Sequence, residues 1–204
     1  MPTSMSINNR LLVPALLLTT LISCTPAIQP GHTATGVRPD SDRALVSESD
    51  RNNYRNAITA LNNNKLDLAE SILKEMLKNR KDLAGPWTNL GLVYLKKNDV
   101  PNASKALEQA LQINPKQAYA LNLMGVIEYN NGNAQKAMEY YQTALQHKPD
   151  YANAHYNLAL AYDIFYQNIP KAVEHYQQYM ELTRHEDKET GTWLDQLSAT
   201  LKSN

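Results

Sequence analysis

The chain has 204 residues, which is enough for one domain of ordinary size. Its 20 basic and 20 acidic residues balance, so net charge offers no argument for binding nucleic acid or an anionic membrane surface. Cys24 is the one cysteine, so no internal disulfide can form and packing alone must stabilise the fold. The abundance of Tyr, Asn, Gln, Ala and Leu, with few Gly, is typical of helices with amphipathic surfaces.

Residues 1–23 have the layout of a secretory signal. Arg10 precedes an apolar run, 11–22, that is too short to span a bilayer. The sequence at 21–24, LISC, resembles the lipobox of bacterial lipoproteins. The resemblance implies cleavage before Cys24 and acylation of that cysteine, and several acyl chains would anchor the protein stably. The alternatives are an ordinary secretory signal that contains a cysteine, or an uncleaved anchor.

The residues after Cys24 indicate where such an anchor would lie. In the sorting rule of bacterial lipoproteins, an aspartate directly after the cysteine retains the protein in the inner membrane, and here that residue is Thr25. The resemblance therefore implies a periplasm-facing protein of the outer membrane. Residues 25–48 are rich in Pro, Gly, Ser and Thr and have no apolar period, so we predict a flexible tether over 24–48.

The rest of the chain contains an internal repeat. The segments 87–115 and 121–149 align without a gap at an offset of 34 residues. Four small or turn-forming residues recur in this alignment, namely Gly91 with Gly125, Ala103 with Ala137, Ala110 with Ala144, and Pro115 with Pro149. A further shift of 34 residues places Tyr162 on Tyr94. A fixed period of this length predicts a stack of similar structural units.

The repeat resembles the tetratricopeptide repeat. The first copy matches the pattern of that family in order with Trp87, Leu90, Gly91, Tyr94, Ala103, Leu107, Ala110 and Pro115. The second copy matches with Leu121, Met124, Gly125, Ala137, Tyr141, Ala144 and Pro149, but has Glu128 where the family has Tyr. The resemblance implies an all-α, right-handed solenoid over 49–204, with hairpins at about 50–83, 84–117, 118–151 and 152–186. A capping helix is predicted over about 189–202.

The recurring residues also have a physical interpretation. Gly91, Gly125 and Ala159 are expected where the first helix of a hairpin crosses the second, because a larger side chain would push the helices apart. Pro115 and Pro149 are expected to stop the second helices. Asn-Asp at 98–99 and Asn-Gly-Asn at 131–133 are expected to form the turns within hairpins. In the final helix, Trp193, Leu194, Leu197 and Leu201 share one face, which predicts that this face covers the last hairpin.

The first helices of a tetratricopeptide stack line its concave surface, and the resemblance carries that role to four sets of residues. These sets are Tyr54, Arg55 and Ile58; Thr88, Asn89, Leu92 and Lys96; Asn122, Leu123, Val126, Tyr129 and Asn130; and Tyr156, Asn157, Leu160 and Asp163. The surface is nearly neutral and rich in amides and tyrosines, which suits a protein segment. The alternative is that the asparagines serve hairpin packing.

No motif indicates chemistry. His147, His155 and His175 lack the spacing of a metal site and are expected at the surface, so no metal or other cofactor is predicted. A glycine-rich phosphate loop and a G-x-S-x-G motif are both missing from the sequence, and no catalytic residue is predicted. We therefore expect a protein that is not an enzyme.

The leading hypothesis is a membrane-anchored scaffold of the bacterial cell envelope that binds a protein partner in its groove. Its layout is similar to that of tetratricopeptide lipoproteins that assist assembly of type IV pili and other envelope complexes. The second hypothesis is a periplasmic module that binds a small ligand or acts as an enzyme, which would require a deep pocket with converging polar groups. The third is a homo-oligomer. Nucleic acid is not an expected partner.

Overall fold

The computed structural model describes residues 47–202, and these residues form helices joined by short turns. The predicted signal peptide, the lipidation site Cys24 and the tether up to residue 46 lie outside the described residues. The helices of the described range are α1 (Glu48–Asn62), α2 (Leu66–Asn79), α3 (Ala84–Lys96), α4 (Val100–Ile113), α5 (Ala118–Asn130), α6 (Ala134–His147), α7 (Ala152–Ile164), α8 (Ile169–Leu182) and α9 (Lys188–Lys202). Within residues 47–202 there is no strand, and the predicted all-α stack of helical hairpins is confirmed.

Consecutive helices pair into four hairpins, which we number 1 to 4: α1–α2, α3–α4, α5–α6 and α7–α8. The second helix of each hairpin also contacts the first helix of the next, so the hairpins stack in chain order. Helices α3, α5 and α7 begin at Ala84, Ala118 and Ala152, which reproduces the spacing of the sequence repeat. Each hairpin alone exposes an apolar face, and stacking buries these faces in a continuous series of small cores.

The crossing of the two helices within a hairpin requires a small residue, as the sequence predicts. A Cβ placed on Gly91 would lie 2.7 Å from Cγ of Leu107, and one placed on Gly125 would lie 2.4 Å from Cε1 of Tyr141. Both distances are shorter than carbon atoms tolerate, so a larger residue would force the helices apart. In hairpin 4 the corresponding residue is Ala159, which is fully buried.

The turn within each hairpin contains one residue with a positive φ: Asn64, Asn98, Gly132 and Gln167. Asparagine and glycine tolerate this left-handed conformation better than other residues, which explains the asparagine-rich turns. In hairpins 2 and 3 the turns lie at 97–99 and 131–133, so they include the predicted turn residues 98–99 and 131–133.

A backbone hydrogen bond closes each of these turns. In hairpin 2 Asp99 N–H donates to Tyr94 O at 2.8 Å, and in hairpin 3 Asn133 N–H donates to Glu128 O at 2.9 Å. In hairpin 4 Asn168 N–H donates to Tyr162 O at 2.9 Å across a turn that is one residue longer. The additional residue is therefore accommodated inside the turn, and the closing hydrogen bond is kept.

The ends of the helices follow local sequence signals. Helices α4 and α6 end at Ile113 and His147, two residues before Pro115 and Pro149. Proline restricts the residue before it to extended backbone, so a helix stops at about this distance. At the start of α4, the Asp99 carboxylate accepts a hydrogen bond from Asn102 N–H.

Helix α9 covers the end of hairpin 4 with only part of the predicted face. Leu197 is buried, and Leu194 packs against the core of hairpin 4. Trp193 and Leu201 remain 37% and 38% exposed, so Leu194 and Leu197 make the main contacts of this face with hairpin 4. The helices of residues 47–202 are all too short or too polar to cross a membrane.

Candidate functional site

The first helices α1, α3, α5 and α7 lie side by side, each in contact with the next along the stack. We call the surface that they share the groove face. Because these helices belong to different hairpins, the surface combines residues from the whole stack, and it is the surface on which the sequence places the candidate binding residues.

The candidate residues differ widely in exposure. Arg55 and Asn130 are exposed, whereas Thr88, Asn122, Asn157 and Leu160 are buried. The remaining ten are partly buried: Tyr54, Ile58, Asn89, Leu92, Lys96, Leu123, Val126, Tyr129, Tyr156 and Asp163. The hydroxyl of Thr88 donates to Ala84 O within its own helix at 3.0 Å. Contact of these residues with a partner stays a prediction.

Two of the candidate asparagines join neighbouring first helices. In hairpin 2 the Asn89 amide donates to Tyr54 Oη at 2.6 Å, and in hairpin 4 the Asn157 amide donates to Asn122 Oδ1 at 3.0 Å. The two hydrogen bonds are equivalent, because each joins residues 35 positions apart on the first helices of successive hairpins. The Asn122 amide donates in turn to Tyr151 Oη at 3.4 Å. These amides therefore stabilise the stacking of the hairpins, which is the packing role that the sequence left open as the alternative.

The charges along the groove face are separated by position. Cationic side chains belong to its N-terminal end, with Arg51 and Arg55 on α1 and Lys96 at the end of α3. Helices α5 and α7 contain no Lys or Arg. Their acidic residues are Glu128, which is buried, and Asp163, which is partly exposed. Helix α1 also contains Glu48 and Asp50, and Glu128 is paired with Lys136, so the groove face as a whole is close to neutral.

Glu128 occupies the position where the tetratricopeptide pattern has tyrosine, and the structure explains the departure. Its carboxylate accepts hydrogen bonds from the ammonium of Lys136 and from the amide of Asn133. Lys136 and then Asn133 hold the pKa of Glu128 below its usual range. The ion pair joins the two helices of hairpin 3 beside their turn, in place of an aromatic contact.

The C-terminal end of the groove face is aromatic and contains one carboxylate. We call Tyr129, Asp163, Phe165 and Trp193 the aromatic end. The rings of Tyr129 and Phe165 meet edge to face at 5.0 Å, and Trp193 Nε1 donates to Asp163 Oδ2 at 2.9 Å. Burial raises the pKa of Tyr129 to about 12, with further contributions from Tyr156 and Asp163. Three helices and one turn therefore converge here.

The sequence does not identify two members of the aromatic end. Phe165 lies in the turn of hairpin 4, outside the helical positions that the tetratricopeptide pattern assigns to the groove. Trp193 was predicted on the face of the final helix that covers the last hairpin. The sequences of the hairpin turns contained a signal that could have identified Phe165. Those of hairpins 1 to 3 contain only polar residues and glycine, whereas the turn of hairpin 4 is longer and begins with Phe165 and Tyr166.

The predicted surface location of the histidines is wrong for His155, which is buried. Its Nε2 lies 2.9 Å from Pro149 O and its Nδ1 lies 3.0 Å from His175 Nδ1. Since a carbonyl can only accept, His155 donates through Nε2 and accepts through Nδ1, and His175 donates. Burial, and then the nearby His155, lower the pKa of His175. One N–H hydrogen lies in the His155–Pro149 contact and one in the His155–His175 contact, so the arrangement requires no charge on either ring.

The depressions in the described surface are open. One of about 460 Å³ lies between α4, α5 and α6, and its lining includes Ser104, Glu108, Met124 and Tyr140. It lies on the side of the second helices and not on the groove face. Among residues 47–202 no three His, Cys, Asp or Glu side chains are grouped so that they could hold a metal ion. That depression joins residues of hairpins 2 and 3, whereas the groove face combines residues of all four hairpins.

Comparisons with known proteins support this architecture. Residues 88–152 match the family model described as tetratricopeptide repeat. The peroxisomal targeting signal receptor of Saccharomyces cerevisiae is 35% identical over 72 residues, which cover 35% of this chain and 12% of the receptor. The chain thus matches about an eighth of the length of that curated relative.

Solved structures resemble a larger part of the chain. The pilF protein of Pseudomonas aeruginosa superimposes with a TM-score of 0.66 and 17% identity, over 75% of this chain and 69% of that protein. The first TPR of Spaghetti (RPAP3), bound to the HSP90 peptide SRMEEVD, superimposes with a TM-score of 0.53 and 17% identity. That match covers 58% of this chain and 95% of the other. Residues 88–152 therefore carry tetratricopeptide repeats, and the helical stack of the described residues has the tetratricopeptide fold.

Proposed function

We propose that this protein is a lipid-anchored scaffold of the bacterial cell envelope, facing the periplasm from the outer membrane, which holds a segment of another envelope protein on its groove face. A tetratricopeptide stack is a protein–protein interaction scaffold, and proteins of this class are generally not enzymes. The observation that carries the proposal is the groove face itself, where side chains from four hairpins form one continuous surface.

The chemistry of the groove face supports a protein segment as the partner. Leu92, Val126 and Tyr129 are partly exposed and provide apolar area, and the exposed amide of Asn130 can donate to and accept from a peptide backbone. Open surfaces of this kind suit an extended or helical segment, because such a ligand contacts many shallow positions along its length. The structure of Spaghetti (RPAP3) with its HSP90 peptide is an example of the same fold with a bound segment.

The anchor is supported by the sequence pattern at 21–24 and by the absence of aspartate after Cys24. An anchored scaffold would keep its partner near the membrane, which suits assistance in assembling an envelope complex. The resemblance in fold to pilF of Pseudomonas aeruginosa is compatible with this role, although at 17% identity it concerns the fold alone.

Cross-linking in cells tests the groove face. A photoreactive phenylalanine analogue at Asn130, an exposed groove position, is expected to yield discrete adducts with another envelope protein. The same analogue at Gln109, an exposed position on the second helix α4, is the matched control and is expected to yield none. Equal adducts from both positions would contradict the proposal, and an adduct of twice the mass of the chain would favour the homo-oligomer.

The anchor is tested separately. With Cys24→Ala, the protein is expected to move from the outer-membrane fraction to the soluble periplasmic fraction while its helical content is unchanged. Cys24→Ser provides a second variant without a thiol to acylate. If both variants remain with the membrane, acylation of Cys24 does not anchor the protein, and the cross-linking result still decides the function of the groove face.

A further inference from the structure

Aliphatic side chains recur at one position of the first helices. Ile58, Leu92 and Val126 follow one another at intervals of 34 residues, on α1, α3 and α5, and each is partly exposed. The next member of this series, Leu160 on α7, is buried. Ile164 lies one helical turn after Leu160 on the same side of α7 and is 45% exposed. We call Ile58, Leu92, Val126 and Ile164 the aliphatic row, to which each of the four first helices contributes one residue.

The spacing of the aliphatic row restricts the conformation of a ligand that follows it. Neighbouring first helices contact each other, so successive members of the row are about 10 Å apart, the interaxial distance of packed helices. An α-helix rises about 1.5 Å per residue, so its residues seven positions apart share a face and are about 10.5 Å apart. Residues three apart in a polyproline II segment are about 9.3 Å apart on one face. In a β-strand the same-face distances are about 6.7 and 13.4 Å, so a strand does not match the row.

The amides of the groove distinguish an α-helix from a polyproline II segment. An extended backbone has no internal partners for its N–H and C=O groups, so a surface that binds it must supply them or leave them to water. The Asn89 amide already donates to Tyr54 Oη at 2.6 Å and to Gly85 O at 3.3 Å. Asn122 and Asn157 are buried and bond to each other. These three amides are therefore committed to the stack, whereas a helix satisfies its own backbone and requires only side-chain contacts.

The aliphatic row ends beside exposed aromatic side chains. The turn of hairpin 4, residues 165–168, exposes Phe165 and Tyr166 by 44% and 46%, and we call it the aromatic turn. The ring of Phe165 lies edge to face against Tyr129 of α5 at 5.0 Å, so the turn continues the groove face. Contiguous exposed apolar groups of this kind mark interaction surfaces. This end of the row therefore offers more apolar area than its other positions.

We propose that the groove face binds an amphipathic helix of the partner, with an apolar residue at every seventh position over the aliphatic row and a large apolar residue at the aromatic turn. This inference rests on the proposed function, and it specifies the conformation of the partner segment. Three steps of about 10 Å separate α1 from α7, which corresponds to about 20 helical residues. Helices of this kind bind grooves through one apolar face.

Selection from a display library of random peptides of about 20 residues tests the proposal. The target is the full chain purified in detergent, and the library is first depleted on detergent micelles without protein, because amphipathic helices also bind micelles. Enriched peptides are expected to repeat apolar residues at intervals of seven and to lack proline in their central part. Enriched peptides without a helical period would overturn the proposal.

Fluorescence anisotropy with the best selected peptide tests the conformation of the ligand directly. Proline at a central position on the polar face of the peptide should weaken binding by about 100-fold, because it disrupts the helix but removes no contact with the groove. Alanine at the same position is the control and should leave the affinity within about twofold. Equal affinities of the proline and alanine peptides would overturn the helical ligand.

Substitutions in the protein test where the peptide binds. Ile164→Asp is expected to weaken binding by about tenfold, because it places a charge against the apolar face of the ligand. Leu68→Asp is the matched control, since Leu68 is 49% exposed on the second helix α2, and it should leave the affinity unchanged. Val126→Ala shortens the middle of the row without adding a charge and should weaken binding by about threefold. Circular dichroism verifies that each variant keeps the native helical content.

The outcomes separate the two proposals. Equal affinities for the Ile164→Asp and Leu68→Asp proteins would overturn binding along the aliphatic row. If proline is tolerated but Ile164→Asp still weakens binding more than Leu68→Asp, the ligand is not helical and binding of a segment on the groove face stands. If no peptide is enriched on a protein with the native helical content, both the helical ligand and binding of peptide segments are contradicted.

Discussion

Hairpins 3 and 4 differ at their turns more than at their helix crossings. In hairpin 3 the first helix has Gly125 at the crossing with the second helix, and a polar turn of Asn and Gly follows. In hairpin 4 the crossing has Ala159, and the turn begins with Phe165. Both hairpins bury the crossing completely and close their turns with equivalent hydrogen bonds of 2.9 Å. The crossing is constrained because two backbones meet there, but the turn faces solvent and can change. The difference shows that exposed aromatic residues can be added in a turn while the hydrogen bond that closes it is kept.

The largest effect should come from overpacking the crossing of hairpin 3. Gly125→Val is expected to lower the free energy of unfolding by about 3 kcal/mol, because the new side chain would overlap the ring of Tyr141. The gain in helix propensity over glycine is only a few tenths of a kcal/mol and cannot offset this clash. Urea denaturation followed by circular dichroism measures the difference.

The control for this change lies in the turn of the same hairpin. Gly132→Asn introduces a side chain into open space at a positive φ that asparagine tolerates, so a change under about 0.5 kcal/mol is expected. If the Gly125→Val protein is as stable as the wild type, the helix crossing tolerates larger residues as well as the turn does, and the comparison fails.

A smaller effect is expected at the buried amides that join hairpins 3 and 4. Asn122→Ala removes the acceptor of the Asn157 amide and should cost about 2 kcal/mol, since a buried donor loses its partner. Asn89→Ala, at the less buried bond to Tyr54, should cost about half as much. Thermal unfolding of both variants measures the ranking, and a larger loss for Asn89→Ala would contradict the structural assignment.

This prediction also affects how binding should be tested. A loss of partner binding in an Asn122 variant could arise from disrupted stacking, because Asn122 is 3% exposed. Substitutions at exposed positions such as Asn130 and Arg55 separate binding from stability.

Acidification should weaken hairpin 4 more than hairpin 3, because the histidine pair lies there. The pKa of His175 is lowered in the fold, so below about pH 6.5 the unfolded chain binds more protons than the native state. The free energy of unfolding therefore declines as pH falls through the unfolded value, and stops declining from this source below the folded pKa. In His175→Asn the decline between about pH 7.5 and about pH 5 should be smaller.

Comparing the pH dependence of the two proteins by chemical denaturation isolates the contribution of His175. Other charges nearby include Glu174, which opposes the shift, and Lys171, which adds to it, and both are unchanged in the variant. An identical decline in both proteins would assign the acid sensitivity to other groups.

A small effect on stability is expected from exchanging the turn of hairpin 4. Replacing residues 165–168 by the Asn-Gly-Asn turn of hairpin 3 should change the free energy of unfolding by about 1 kcal/mol. Shortening a loop by one residue alters its closure entropy little, and the exchange removes the edge-to-face contact between Phe165 and Tyr129. A large loss of stability would mean that the aromatic turn serves the fold.

The sequence was sufficient for the elements that repeat. The spacing of Gly91 and Gly125 predicted the helix crossings, and Pro115 and Pro149 predicted where the second helices end. These predictions succeeded because proline ends a helix locally and because the need for a small residue at the crossing recurs at a fixed interval. One sequence pattern therefore specifies several hairpins at once.

The tertiary structure alone decided which groove residues are accessible and which residues meet between hairpins. The sequence left open whether Asn122 and Asn157 contact a partner or serve packing, and the structure shows that they bond to each other. His155 was predicted at the surface, yet it is buried against His175. Phe165 and Trp193 reach the groove face from a turn and from the final helix. Such contacts depend on how far each helix is rotated and tilted against its neighbours, and the period of the sequence does not specify these angles.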